Sequence, residues 1–282
     1  MASIRRPAVA GMFYPASPDA LRRQIEASFL HALGPGRVPT VTHEGPRNLL
    51  GLVSPHAGYV YSGPVAAHAF AALAADGAPA VVVMIGPSHY GFGPAVAVSN
   101  ADGWQTPLGT SPVNREVAQA IASAMPEKAL SDRAHEREHS LEVQLPFLQY
   151  LFGEKVGIVP IVMAEQNLAR AQELGNAIAN ALAGREAVVI ASTDMSHYAP
   201  QDVAVANDRL VLAAIEDWQP DRLLQLAPYQ VSACGPGPVA AAMIACGKLG
   251  ARSARLLNYA TSGDASGDTR RVVGYAALAI SR

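Results

Sequence analysis

Three histidines each follow a short apolar run and sit among small or polar residues. Leu49–Val53 runs into Ser54-Pro55-His56-Ala57-Gly58-Tyr59, and Ala80–Ile85 into Gly86-Pro87-Ser88-His89-Tyr90. Ala187–Ala191 runs into Ser192-Thr193-Asp194-Met195-Ser196-His197-Tyr198. Neutral imidazole is the commonest metal ligand among side chains and the usual proton carrier near neutral pH. One such histidine is ordinarily a hydrogen-bonded loop residue. Three at equivalent places after buried strands predict a shared site, with a metal ion as its occupant.

Cys234 precedes a run that reads as a helix from Pro236. A helix N-terminus lowers a thiol pKa and makes sulfur a better ligand or nucleophile. A free cysteine is as often a buried small hydrophobe, and position alone leaves Cys234 between the two. Cys246 lies deep in the same Ala-rich run and reads as core. His135-Glu136-Arg137-Glu138-His139 is a literal H-E-x-x-H string, the pattern of a zinc hydrolase helix. Such a helix is buried and needs apolar neighbours, whereas Ser131-Asp132-Arg133 and Arg137-Glu138 are polar, so a loop is expected there. His68 falls in an Ala-rich helical run and reads as packed or solvated. His31 and His43 lie in or beside a loop-rich segment without a partner pattern.

The apolar runs that must position these groups read as strands at Leu49–Val53, Ala80–Ile85, Ala95–Val98, Val156–Met163, Ala187–Ala191, Ala254–Tyr259 and Val272–Ile280. Helical patterns fall at Pro18–Ala32, Pro64–Ala75, Asn114–Ala124, Leu141–Leu151, Asn167–Ala183, Asp202–Asp217 and Pro236–Leu249. Their alternation predicts an α/β fold: a mostly parallel sheet flanked by helices. Pro- and Gly-rich stretches at Gly34–Pro46 and Asp102–Pro112, and the polar Thr261–Arg271, read as loops within one domain spanning residues 1–282.

Composition limits the partners. Of 282 residues, 50% are hydrophobic and 16% charged, a globular profile. With 21 basic against 23 acidic residues and no cationic run, neither nucleic acid nor an anionic membrane surface is an expected partner. Arg5-Arg6 followed by Pro7–Phe13 has the outline of a leader, but prolines interrupt it and it is read as mature structure. No apolar run is long enough to span a bilayer. Two cysteines a helix-length apart cannot bridge, which suits the reducing cytoplasm.

Taken together the motifs resemble the Memo family, whose bacterial members are called AmmeMemoRadiSam system protein B. The resemblance runs through Arg5–Pro7 and Ala10–Pro15, then Pro55–Gly63, Gly86–Tyr90 and Glu138–Leu148. It continues in Ser192–Tyr198, Ala233–Gly235, Tyr259–Asp264 and Val273–Ala276, covering the chain almost end to end. It implies a fold like the class III extradiol dioxygenases, which cleave catechol rings with non-haem iron held at the sheet edge. By resemblance, His56, His89 and Cys234 would be metal ligands, His197 the acid/base, and Asp194 and His139 pocket residues. Phe13, Tyr14, Tyr59 and Tyr90 would wall a substrate or peptide cleft.

Oxygen-activating iron centres generally carry two histidines and a carboxylate. A thiolate in the carboxylate's place favours copper(I), zinc or thiolate-bound iron, with iron or copper expected first. The function expected is therefore metal-dependent redox or oxygen-linked chemistry on an unidentified substrate; if the chain is an enzyme, it is a metal-dependent oxidoreductase. The alternatives are a peptide- or protein-binding module on a vestigial dioxygenase scaffold and the zinc hydrolase using His135 and His139. AMMECR-type and radical-SAM proteins are the partners the resemblance implies.

Overall fold

The computed structural model describes residues 2–42, 44–226 and 232–282; His43 lies outside the described residues. The strands are β1 (Ile4–Arg5), β2 (Leu49–Ser54), β3 (Val81–Pro87), β4 (Val96–Val98), β5 (Gly103–Thr106), β6 (Gly109–Pro112), β7 (Gly157–Met163), β8 (Ala187–Ser192), β9 (His197–Ala199), β10 (Ser253–Thr261) and β11 (Val272–Ser281). The helices are α1 (Pro18–Leu30), α2 (Tyr59–Asp76), α3 (Arg115–Ala124), α4 (Leu145–Phe152), α5 (Leu168–Leu182), α6 (Gln201–Glu216), α7 (Pro220–Leu226), α8 (Pro236–Lys248) and α9 (Ser262–Ser266).

The main sheet has the order β10-β11-β2-β8-β3-β7-β4, with β9 attached to β11. Its four central strands, β2, β8, β3 and β7, are mutually parallel. The flanks are not. β11 runs antiparallel to β2 and to β10, and β4 antiparallel to β7. The expectation of a mostly parallel sheet is thus corrected to a mixed one. The cause is connection length: a parallel return needs a crossover of a dozen or more residues. The 88–95 link after β3 and the 262–271 link between β10 and β11 are shorter, so each chain turns back.

Every residue of β3 is buried, although successive side chains point to opposite faces, so both faces are covered. α2 packs on β2, β10 and β11 with α1 beside it, while α8 packs on β8, β3 and β2 with α5 beside it. One hydrophobic cluster runs from Val9 to Ile280.

Asn114 and Asn167 cap α3 and α5, each side chain accepting the amide proton three residues on. α2 begins at Tyr59, a turn ahead of the expected start at Pro64. Proline there forfeits only the bond to the Val60 carbonyl, and Val60 is exposed to water.

The Asp102–Pro112 stretch, expected as loop, forms the β5–β6 hairpin, which joins β1 in a three-stranded sheet. The polar Thr261–Arg271 segment holds α9, closed by a reciprocal capping box between Thr261 and Asp264. Among the described residues no helix is long and apolar enough to cross a membrane.

Candidate metal centre

Because β2, β8 and β3 lie side by side and parallel, the residues after their carboxyl ends emerge at one edge. His56 follows β2, His89 follows β3 and Asp194 follows β8. Cys234 arrives from the loop ahead of α8 and its amide donates to the Asp194 carbonyl at 3.2 Å. Its sulfur lies 3.2 Å from His56 Nε2 and 3.1 Å from the Asp194 amide nitrogen. The His56 and His89 rings stand edge to face with centroids 5.3 Å apart. One donor atom each from His56, His89 and Cys234 lies within 4.8 Å of the others, a grouping that could hold a metal ion. His89, Glu138 and His139 form a second such group. His56 is buried and His89 exposed, so the cluster opens to solvent on the His89 side.

The hydrogen bonds decide which ring nitrogens are bare. Ser192 Oγ donates its only proton to the Ser140 carbonyl at 2.7 Å. It must therefore accept from His56 Nδ1, 2.9 Å away, as it does from Gln144 Nε2. His89 Nδ1 lies 2.8 Å from a Glu138 carboxylate oxygen, which can only accept. Both imidazoles thus carry hydrogen on Nδ1, which in the neutral ring leaves Nε2 bare, the form a metal requires.

Electrostatics follow from burial. Burial, then the neighbouring His139 and His89, hold His56 well below the ordinary histidine range. Burial, then His89, brings His139 down to about 4, so it is neutral at pH 7. Glu138 ionises despite its burial, because the His89 ring and amide hold it at about 2. Asp194 is pushed up to about 6 by burial, against the His56 amide that donates to it at 2.7 Å.

Helix placement was expected to lower the Cys234 thiol; instead burial, then the Asp194 carboxylate, raise it. The helix dipole acts over one turn, and here desolvation is the stronger effect. A coordinated cation would invert this balance and deprotonate the sulfur.

Comparison with known proteins assigns the lineage. Residues 5–279 match the family described as Memo-like protein. The chain belongs to the Memo family. It is 48% identical to a MEMO1 family protein of Methanopyrus kandleri over 99% of both chains, and 49% identical to one of Ignicoccus hospitalis over 98% of both. A Thermotoga maritima relative is 45% identical over 96% of this chain and 97% of its own. An uncharacterized Escherichia coli K12 protein, JW3007, shares the fold alone, with a TM-score of 0.55 and 14% identity over 81% of this chain and 99% of that one.

In this Memo-family chain the residues singled out from sequence separate into two sets. His139 joins the cluster: its ring stacks on His89 at 4.4 Å and meets Phe13 at 4.8 Å, tilted by 56°. His197 begins β9, donates its backbone amide to Ser232 Oγ, and turns Nδ1 to the Ser232 carbonyl at 2.9 Å. Its positive charge, when present, would lower the pKa of both His56 and Asp194. Tyr90 is exposed, with the Arg137 guanidinium 4.9 Å above its ring.

Tyr14 and Tyr59, expected along a cleft, are 2% and 3% exposed, and their hydroxyls are consumed by Glu142 and the Val143 carbonyl. They brace the N-terminal segment instead. The zinc hydrolase reading also fails. Residues 135–139 form no helix; His135 packs against Trp104 at 5.4 Å while His139 packs against His89 and His56.

Several functional neighbours escaped the sequence reading. Glu138 and Glu142 lie inside the Glu138–Leu148 motif, but only the fold shows that the first serves His89 and the second Arg5. Ser192 and Gln144 meet at His56 from distant segments. Asp208 on α6 accepts from the Ser196 amide at 2.9 Å and the Tyr259 hydroxyl at 2.7 Å, fixing the loop that carries Asp194 and His197. Gly274 packs against it so tightly that a Cβ would lie 1.9 Å from Asp208 Oδ2. Gly274→Ala is expected to cost about 1–3 kcal/mol through overpacking. Urea unfolding checks this, and a wild-type midpoint would show that Asp208 can retreat freely.

Proposed function

We propose that this chain binds one transition-metal ion, iron or copper first and zinc as the non-redox option, through His56 Nε2, His89 Nε2 and Cys234 Sγ. The reading extends to redox or oxygen-linked chemistry at a dioxygenase-like sheet edge. The carrying observation is the approach of three donors from three separate segments to within 4.8 Å, with both imidazole protons committed on the far side. Metal bonds of about 2.0–2.3 Å place neighbouring donors roughly 3–4 Å apart, and the His56–Cys234 pair already fits at 3.2 Å. A bound iron or copper ion would supply one-electron or oxygen chemistry that side chains lack.

The chain's own groups would manage protons and access. His197 keeps Nδ1 on the Ser232 carbonyl, leaving Nε2 to accept a proton. Asp194, held near 6, can change its protonation close to neutral pH. His139, neutral at pH 7, offers a hydrogen bond beside the donors without adding charge. The Phe13 ring packs against that imidazole at 4.8 Å.

The test is metal quantification on protein purified without added metal. Wild type is expected to retain iron, copper or zinc near one ion per chain, with at least about a tenfold loss in His56→Ala, His89→Ala and Cys234→Ser. Metal content unchanged in all three variants would remove this reading.

A further inference from the structure

Glu138 stands behind the three donors rather than among them. Its side chain is fully buried and gathers N–H groups from three residues. Oε2 accepts from the His89 amide at 2.6 Å; Oε1 accepts from His89 Nδ1 at 2.8 Å and from the His139 and Ser140 amides at 2.9 Å each. Its own carbonyl is anchored by Arg5 Nη2 at 2.6 Å.

We propose that Glu138 is the positioning residue of the centre: it fixes which nitrogen of His89 faces the ion and how strongly that nitrogen donates. The inference rests on His56, His89 and Cys234 being the ligands. An ionised carboxylate has no proton to give, so the His89 hydrogen is held on Nδ1 and the lone pair on Nε2. A negative partner on the N–H side also raises the electron density of the opposite nitrogen. Outer partners of this kind typically change metal affinity 10–100-fold.

The same oxygen holds the His139 backbone, and so sets the 4.4 Å stacking of that ring on His89. One buried group therefore orients two imidazoles. Glutamine cannot replace it. The amide has a single oxygen, so its NH2 must confront an N–H that the carboxylate had satisfied, and the charge is gone.

The experiment has two arms. Nitrogen-15 NMR of the metal-free wild-type chain, above neutral pH, is expected to show His89 protonated on Nδ1. Cobalt(II) titration, followed by the thiolate-to-metal charge-transfer band, is expected to give about 10–100-fold weaker binding to Glu138→Gln. The band itself should survive at saturation, because Cys234 is untouched. A merely structural loss would lower stability without this selective fall in affinity.

Equal cobalt affinity in the two chains overturns the inference, as does a wild-type His89 protonated on Nε2. Should the variant not fold, the wild-type tautomer still decides. A wild-type chain that binds no cobalt overturns the ligand reading itself, and the Glu138 inference with it.

Discussion

Replacing Glu142 by glutamine is expected to destabilise the folded chain by about 3–5 kcal/mol, the usual cost of leaving a buried charge without its partner. Glu142 and Arg5 form an ion pair in which the side chains are 0% and 5% exposed. The same carboxylate accepts from the Ala8 and Val9 amides, at 2.7 and 3.0 Å, and from the Tyr14 hydroxyl. Arg5 in turn donates to the carbonyls of His135 and Glu138 and lies over the Trp104 ring.

The variant would keep one oxygen but leave the guanidinium uncompensated in a poorly solvated place. Equilibrium urea unfolding measures the loss. A cost below about 1 kcal/mol, typical of exposed pairs, would show that water reaches the pair. The effect should extend to the centre, since the segment that Glu142 anchors carries Phe13 onto His139.

The second large effect is loss of stability in acid, led by His135. This ring is fully buried, and among the described residues neither nitrogen has a hydrogen-bond partner. Burial, then the Arg5 charge, lower its pKa from 6.5 to about 3; the Ala97 backbone opposes this without a well-formed hydrogen bond. The folded pKa lies below the unfolded one, so the unfolded chain binds the extra proton between these values.

Stability from this group is complete above about pH 6.5 and falls as pH drops toward 3. The loss is about 2–3 kcal/mol between pH 7 and pH 4.5, and roughly 4 kcal/mol by pH 3. Denaturant unfolding across that range should show the wild-type chain declining and His135→Phe declining less by about the 2–3 kcal/mol figure at pH 4.5. Identical acid profiles for the two chains would mean that His135 is not a major proton-linked group. His56 and His139, also lowered by burial, contribute in the same direction.

The sequence by itself determined the central scaffold and marked His56 and His89 as candidate donors, while Cys234 stayed undecided from its position alone. Short β-branched runs announced the four parallel strands, whose ends the structure places within two residues of the expected bounds. The groups just beyond three of those ends were legible because parallel packing sends such residues to one edge. The hairpin at 103–112 was hidden by its Pro and Gly content, and α9 by its brevity, although Thr261 and Asp264 carry a readable capping pattern.

Tertiary structure alone decided which polar groups meet. Strand periodicity gives a side chain's face but not its partner across more than a hundred residues. Thus Glu142 could be seen as acidic but not as the counter-ion of Arg5, and Ser192 as polar but not as the acceptor for His56 Nδ1. Burial made the same distinction for the aromatics. Tyr14 and Tyr59 read like cleft residues in the chain, yet their hydroxyls are satisfied inside the fold. Desolvation depends on everything packed around a group, which is why the raised Cys234 thiol and the lowered His135 ring could not be read from their neighbours in sequence.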